Sequence, residues 1–255
     1  MAAKKDPKNV HDHVPAADSY VMPPEPPADR TILINFVLDK SGSMESIRSA
    51  TISGFNEFKN DQARAAGTAL MTLTLFDTAF NTVSTAVPVG DVLDLTLKSY
   101  APDGCTALYD AVGHTMKLTD DYVAKHKPDQ VLFVIMTDGQ ENSSREFSRD
   151  RIFRLIEERQ ANAGYEFIYL GANQDSYVSG QQMGIRPGRM IDYDATPDGA
   201  RAVMSRASMN VRAHRKWAAA QAPEMFSVDF EAMADLEGDA LEAQKAKYVR
   251  EAEKK

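Results

Sequence analysis

The sequence predicts an α/β fold, with a doubly wound, mostly parallel central sheet, helices on both faces and one antiparallel edge strand. Apolar, β-branched runs alternate along the chain with segments whose apolar residues recur at helical spacing. Two of these runs, TILINFVLD from Thr31 and DQVLFVIMTD ending at Asp138, are apolar almost throughout. Such runs are typical of strands buried on both faces of a parallel sheet, so we place these two at its centre.

The remaining elements follow from the same alternation of patterns. The predicted strands span residues 31–39, 68–77, 79–88, 129–138, 165–173 and 189–194. The predicted helices span residues 46–65, 106–126, 148–162, 176–183 and 198–219. The third strand ends at Pro88, and because proline has no amide donor we expect that strand at an edge of the sheet, as a hairpin partner of the second.

The chain divides into one domain and two polar ends. Of its 255 residues 43% are hydrophobic, which is ordinary for a globular protein. Residues 1–29 include PPEPPADR without any periodicity, which predicts a disordered, Pro-rich arm. Residues 221–255 are rich in Glu, Lys and Ala, and we expect a charged, partly helical tail there. Residues 30–220 are the predicted folded domain.

Charge and composition argue against several functions. The formal net charge of −8 disfavours non-specific binding to nucleic acid or to anionic membranes, since such binding needs a cationic surface. The single cysteine, Cys105, rules out an intramolecular disulfide and is compatible with a reducing cytosol. Neither a secretory signal nor an apolar run long enough to span a membrane is present in this sequence, so we expect a cytoplasmic protein.

Oxygen-bearing side chains follow the two most buried strands. Asp39, Ser41 and Ser43 alternate in the loop after the first strand, and Asp138 follows the fourth. In an open α/β sheet, ligands bind at the carboxyl ends of the strands. Two carboxylates close together would repel without a cation between them. Oxygen-only ligation favours Mg²⁺, Mn²⁺ or Ca²⁺ over Zn²⁺, and we expect Mg²⁺ because it readily keeps water ligands.

These motifs resemble the von Willebrand factor A (vWA) domain and its metal-ion-dependent adhesion site (MIDAS). The signature Asp-x-Ser-x-Ser is present at Asp39, Ser41 and Ser43. The family's later threonine and aspartate match Thr106 in Asp-Gly-Cys-Thr and Asp138 in Thr-Asp-Gly. The resemblance covers about residues 30–220, implies a three-layer, Rossmann-like sandwich, and is strongest to soluble prokaryotic or phage members.

The resemblance also implies roles for these residues. Ser41 and Ser43 are expected to coordinate the cation directly, Thr106 to join when ligand is bound, and Asp39 and Asp138 to act largely through water. An Asp or Glu of a partner protein would complete the octahedron. We therefore expect a metal-dependent protein–protein interaction module and no enzyme. It would serve as an adaptor in an intracellular assembly or as the partner of a MoxR-class AAA+ ATPase. This sequence contains no Walker A motif, so the ATPase would be a separate protein.

Several alternatives stay open at the level of sequence. Ser41 and Ser43 could simply cap a helix. A metal-assisted hydrolase could use the same cation with Asp110, Glu141 or His114 as its base, although we place Asp110 in the interior and His114 at the surface of the following helix. An RNA-binding adaptor would need the one basic helix face, which consists of Arg201, Arg212, Arg215 and Lys216. Cys105, beside Thr106, is expected to be inert, buried packing.

Overall fold

The computed structural model describes residues 30–172 and 176–216, and these residues form one layered α/β unit. The six strands are β1 (Thr31–Asp39), β2 (Thr68–Phe76), β3 (Phe80–Pro88), β4 (Gln130–Thr137), β5 (Glu166–Ala172) and β6 (Met190–Tyr193). The five α-helices are α1 (Arg48–Arg64), α2 (Leu108–His126), α3 (Arg149–Asn162), α4 (Ser176–Gln182) and α5 (Pro197–Lys216). Short 3₁₀ helices span Gly42–Ile47 and Val89–Asp91.

The strands lie in the order β3-β2-β1-β4-β5-β6, and all neighbouring pairs are parallel except β2 with β3. The predicted fold class is therefore confirmed, including the antiparallel edge strand that ends at Pro88. The first strand is central, because it pairs with β2 from Thr31 to Asp39 and with β4 from Ile32 to Leu38. Continuous apolar sequence in β1 and β4 follows from this position, since nearly every residue in them is buried.

A hydrophobic layer packs on each face of the sheet. On one face Ile34, Phe36 and Leu38 of β1 meet α1 and α5, with Phe36 packed edge-on against Phe55 at 5.2 Å between ring centroids. On the other face Val37 joins residues of β4, β5, α2 and α3. Successive side chains of a strand point to opposite faces, so one apolar run supplies both layers.

Two helices begin two residues later than predicted. The predicted helix 46–65 begins at Arg48 and is preceded by the 3₁₀ helix, and the predicted helix 106–126 begins at Leu108. In both places the residues just before the α-helix belong to the loops that carry the candidate ligands, so their backbone is not α-helical. Helix α3 begins as predicted at the Ser148 cap, whose Oγ accepts from Arg151 N.

The two predicted ends of the chain lie outside the described residues, so the arm at 1–29 and the tail at 221–255 remain predictions. No helix within the described part of the chain is long and apolar enough to cross a membrane.

Candidate metal centre

The candidate site lies at the carboxyl edge of the sheet, between β1 and β4. From β1 the chain crosses to β2 on one side, and β4 pairs on the other side of β1, so the strand order reverses at this point. Loops after β1 and β4 must diverge here to opposite sides, which leaves a crevice above the strand ends. Asp39 and Asp138 stand at the two strand ends that border this crevice.

Asp39 is fully buried and held in one orientation. Its Oδ1 accepts a hydrogen bond from Ser41 N at 2.6 Å, and its Oδ2 accepts one from Thr137 Oγ1 at 2.5 Å. Burial raises the pKa of Asp39 from its ordinary value of 3.8 to about 6; these hydrogen bonds offset part of the effect, and the charge of Asp138 adds to it. The carboxylate is therefore fixed in a place where its negative charge is costly.

A chain of hydroxyl contacts joins the loop after β1 to Asp138. Ser41 Oγ lies 3.2 Å from Ser43 Oγ, and Ser43 Oγ donates to Asp138 Oδ1 at 2.6 Å. Burial also raises the pKa of Asp138. The helix-capping alternative is not supported, because Ser41 precedes the 3₁₀ helix without a side-chain capping bond.

Thr106 reaches the same crevice from the loop before α2. A β-carbon added at Gly139 would lie 3.1 Å from Thr106 Oγ1 and 3.8 Å from Ser43 Oγ, so both hydroxyls border this glycine. The backbone of Thr106 is fixed on both sides by Asn142, because Thr106 N donates to Asn142 Oδ1 at 2.9 Å and Asn142 N donates to Thr106 O at 3.0 Å.

The structure thus brings all five predicted residues together, and their donor atoms fit a hard divalent cation. Three hydroxyls and two carboxylates supply only oxygen, the donor that Mg²⁺, Mn²⁺ and Ca²⁺ prefer. Two neighbouring carboxylates with raised pKa values are the arrangement that a bound cation relieves. Among residues 30–172 and 176–216 no three His, Cys, Asp or Glu side chains group as a metal site, so a cation at this position would depend on the hydroxyls.

Three residues that support the site were not among the sequence-predicted set. Thr137 orients Asp39, Asn142 fixes Thr106, and the hydroxyl of the fully buried Tyr100 donates to the main-chain oxygen of Asp39 at 2.5 Å. Thr137 did give a signal, since it is a polar residue at the end of a fully buried strand. Asn142 and Tyr100 act across 36 and 61 residues of sequence, and no local pattern marks them.

Two expectations about residues outside the ligand set were wrong. Cys105 is exposed and is not buried packing; its loop is held through the backbone, since Cys105 N donates to Thr78 Oγ1 at 2.9 Å. Arg215 is buried and does not belong to a solvated basic face: its guanidinium donates to the carbonyls of Gln62, Ala65, Ala66 and Gly67 at the end of α1. Of the predicted basic residues whose side chains are described, only Arg201 and Arg212 are exposed, so the predicted basic surface on α5 is smaller than expected.

The side chains proposed as bases for a hydrolase are engaged in holding loops. Asp110, an interior contact as predicted, accepts from the backbone N–H groups of Arg145, Glu146 and Phe147. Glu141 accepts from Tyr109 N and from backbone and hydroxyl donors of residues 143 and 144. His114 is partly exposed, pairs with Glu146 at 2.8 Å and stacks on Phe80.

Comparison with solved structures identifies the fold. The proximal thread matrix protein 1 of the mussel byssus matches with a TM-score of 0.53 and 15% identity over 72% of this chain. The vWF domain of the type V pilus tip protein Mfa5 from Porphyromonas gingivalis matches at 0.55 with 9% identity, covering 74% of this chain and 97% of that one. The VWA domain of SpRpn10 matches at 0.53 with 11% identity, covering 70% and 94%.

The chain therefore has the vWA fold. The match spans 46% of the length of the mussel protein, so the likeness concerns only part of that protein. A further structure of the mussel protein, with a TM-score of 0.50, 12% identity and coverage of 72% and 46%, is described as having a zinc-occupied MIDAS motif. Neither the models of protein families nor the curated proteins gave a match to this chain.

Proposed function

We propose that this chain is a metal-dependent protein-interaction module. A divalent cation held by Asp39, Ser41, Ser43, Thr106 and Asp138 would coordinate an Asp or Glu side chain of a partner protein. The observation that carries the proposal is the convergence of three hydroxyls and two hydrogen-bonded carboxylates at the switch point of the sheet.

The charges of the five candidate ligands support the binding of a further acidic ligand by the cation. Asp39 and Asp138 are the two carboxylates of the set, and both oxygens of Asp39 already accept hydrogen bonds from protein donors. The hydroxyl ligands are neutral, so a bound divalent ion would keep enough positive charge to attract an external carboxylate. When bound, the ion supplies a Lewis-acidic position for that carboxylate.

The exposure of the site also supports binding of a partner. Ser43 and the neighbouring Gly42 and Cys105 are exposed, and Asp138 is half-buried. Asp39 lies fully buried beneath them. A side chain of another protein can therefore approach from the outer side of the loop, while the Asp39 carboxylate lies beneath it.

The finer parts of the proposal rest on the vWA resemblance and on ordinary metal preferences. We expect Mg²⁺ as the resident ion, since a shell with few protein carboxylates suits an ion that keeps waters. We expect the partner inside a cell, in an assembly complex or as a MoxR-class AAA+ ATPase, and we expect the protein itself in the cytoplasm. The mussel protein's zinc-occupied MIDAS motif is compatible with a divalent ion in this fold.

Two measurements test the proposal in order. Titration calorimetry with Mg²⁺ and Mn²⁺ on the full chain first asks for one site per molecule, lost in the Ser41→Ala, Ser43→Ala double variant and kept in Ser205→Ala, which changes an exposed serine on α5. Affinity capture from native lysate, in Mg²⁺ and in EDTA, then identifies proteins that bind the wild type only when the metal is present.

Each result has a definite meaning. One metal site that the double variant loses, together with a partner lost in EDTA and in the double variant, supports metal-bridged binding. A partner that binds equally in EDTA would place the binding face elsewhere and make the cation structural. Absence of metal binding by the wild type would overturn the proposal as a whole.

A further inference from the structure

One residue, Tyr100, is bonded to both ends of the loop that carries Ser41 and Ser43. Its side-chain hydroxyl donates to the main-chain oxygen of Asp39, just before that loop, at 2.5 Å. Its main-chain oxygen accepts from Nε of Arg48, just after the loop, at 2.9 Å. The two residues that flank the eight-residue segment 40–47 are thus both hydrogen-bonded to Tyr100, one to its side chain and the other to its main-chain carbonyl.

The bond to Asp39 lies where the sheet no longer holds the strand on both sides. Pairing of β1 with β4 ends at Leu38 and Met136, so Asp39 pairs only with Phe76 of β2. Tyr100 is fully buried, and a hydrogen bond shielded from water at this position competes with no solvent. The hydroxyl therefore fixes the backbone at the point from which the metal-binding loop departs.

Tyr100 is itself held on a firm support. The segment before it is anchored to α1 by Asn56, which bonds both N and O of Leu95, and by Lys59, which donates to Val92 O. The segment after it bonds the loop directly, through Asp103 N to Lys40 O at 2.9 Å. Through these contacts the loop is held in a fixed position relative to α1.

We propose that Tyr100 is a positioning residue for the cation site, setting the separation of the two ends of segment 40–47 and hence the placement of the Ser41 and Ser43 hydroxyls. The inference rests on the proposed function, because it concerns the same metal. Tyr100 contributes no ligand. Its loss would weaken metal binding by letting the loop sample more conformations that must be ordered again when the cation binds.

The test is Tyr100→Phe, which removes the hydroxyl and keeps the ring. The matched control is Tyr165→Phe, since Tyr165 is also buried and donates its hydroxyl to Asp120, on α2. Mn²⁺ affinity is measured on the full chain by electron paramagnetic resonance, at a temperature where urea unfolding in EDTA shows every variant to be folded. We expect about 5- to 20-fold weaker Mn²⁺ binding for Tyr100→Phe, corresponding to about 1–2 kcal/mol, and less than a two-fold change for Tyr165→Phe.

A merely structural tyrosine would lower stability in both variants and leave the Mn²⁺ affinity of the folded protein unchanged. Unchanged affinity in Tyr100→Phe, with normal binding by the wild type, would overturn the positioning role and leave the proposed function standing. No Mn²⁺ binding by the wild type would overturn both. If Tyr100→Phe does not fold, Arg48→Gln removes the bond to the Tyr100 carbonyl, and the positioning role again requires at least a three-fold loss of affinity.

Discussion

Asp39→Asn should stabilise the metal-free protein although it removes a candidate ligand. Burial raises the pKa of Asp39 from 3.8 to about 6, so the ionised carboxylate destabilises the folded state at neutral pH. Since a tenfold change in proton affinity is about 1.4 kcal/mol, the ionised form costs about 3 kcal/mol at pH 7. Asparagine carries no charge and can still accept from Ser41 N or Thr137 Oγ1, so the variant should recover much of that cost, about 2 kcal/mol.

The dependence on pH has a definite sign. The folded-state pKa of Asp39 is above the unfolded value, so its contribution makes the wild type more stable as pH falls from about 6 towards 4. Asp39→Asn lacks this contribution, so the difference in stability between the variant and the wild type should shrink over the same pH range. Addition of Mg²⁺ at pH 7 should reverse the order, because a metal at 100 times its Kd stabilises the wild type by about 2.7 kcal/mol and the variant binds it poorly.

Urea unfolding followed by circular dichroism, in EDTA and in Mg²⁺ between pH 4.5 and 7.5, measures these differences. Asp121→Asn is the control, since Asp121 is exposed on α2 and its substitution should change stability by less than about 0.5 kcal/mol. The reasoning is refuted if Asp39→Asn in EDTA at pH 7 is no more stable than the wild type. It is equally refuted if the advantage persists unchanged at pH 4.5.

Three further predictions concern contacts outside the ligand set. Arg215→Met should lower the free energy of unfolding by about 2–4 kcal/mol, because four carbonyls at the end of α1 lose a charged donor, whereas Arg212→Met, at an exposed position of the same helix, should be nearly neutral in urea unfolding. Glu166→Ala should cost about 3–5 kcal/mol, since it leaves the buried Arg189 without the carboxylate 2.9 Å away, and the double change Glu166→Leu, Arg189→Met should restore part of that loss; equal melting of the single and double variants would contradict this. A bulky maleimide on Cys105 should block capture of a metal-dependent partner while leaving the Mg²⁺-induced rise in Tm intact, because the thiol is exposed beside Thr106; capture by labelled protein at the unlabelled level would place the partner elsewhere.

Much of the fold could be predicted because local sequence and burial agree. The apolar runs of β1 and β4 are continuous since both strands are covered on two faces. Pro88 marked the edge strand, and in the closing helix the apolar residues Val203, Met204 and Val211 are buried, in keeping with their helical spacing. These predictions use only local sequence, because a residue's polarity reflects whether its face of the strand or helix is buried or exposed.

The parts that sequence did not reveal depend on distant segments. Arginine is usually a surface residue, so its type alone predicts exposure for Arg215. Its burial is favourable because carbonyls at the end of α1, about 150 positions away, accept its hydrogen bonds. Tyr100 lies in an irregular stretch, where no period assigns a direction to its side chain. The exposure of Cys105 depends on how its loop meets Thr78, whose Oγ1 accepts from Cys105 N. In each case the partner is fixed by tertiary packing and not by spacing in the chain.

The double pairing of β1 has a mechanical consequence. Arg30 leads into β1 at one end of the sheet, and the loop with Ser41 and Ser43 leaves it at the other. Tension between a bound partner and the segment before Arg30 would run along this strand, which is hydrogen-bonded to β2 and β4 along nearly its whole length. Pulling β1 out would shear both ladders at once and not unzip them one bond at a time. The loop is thus joined to a strand that hydrogen bonds hold on both sides.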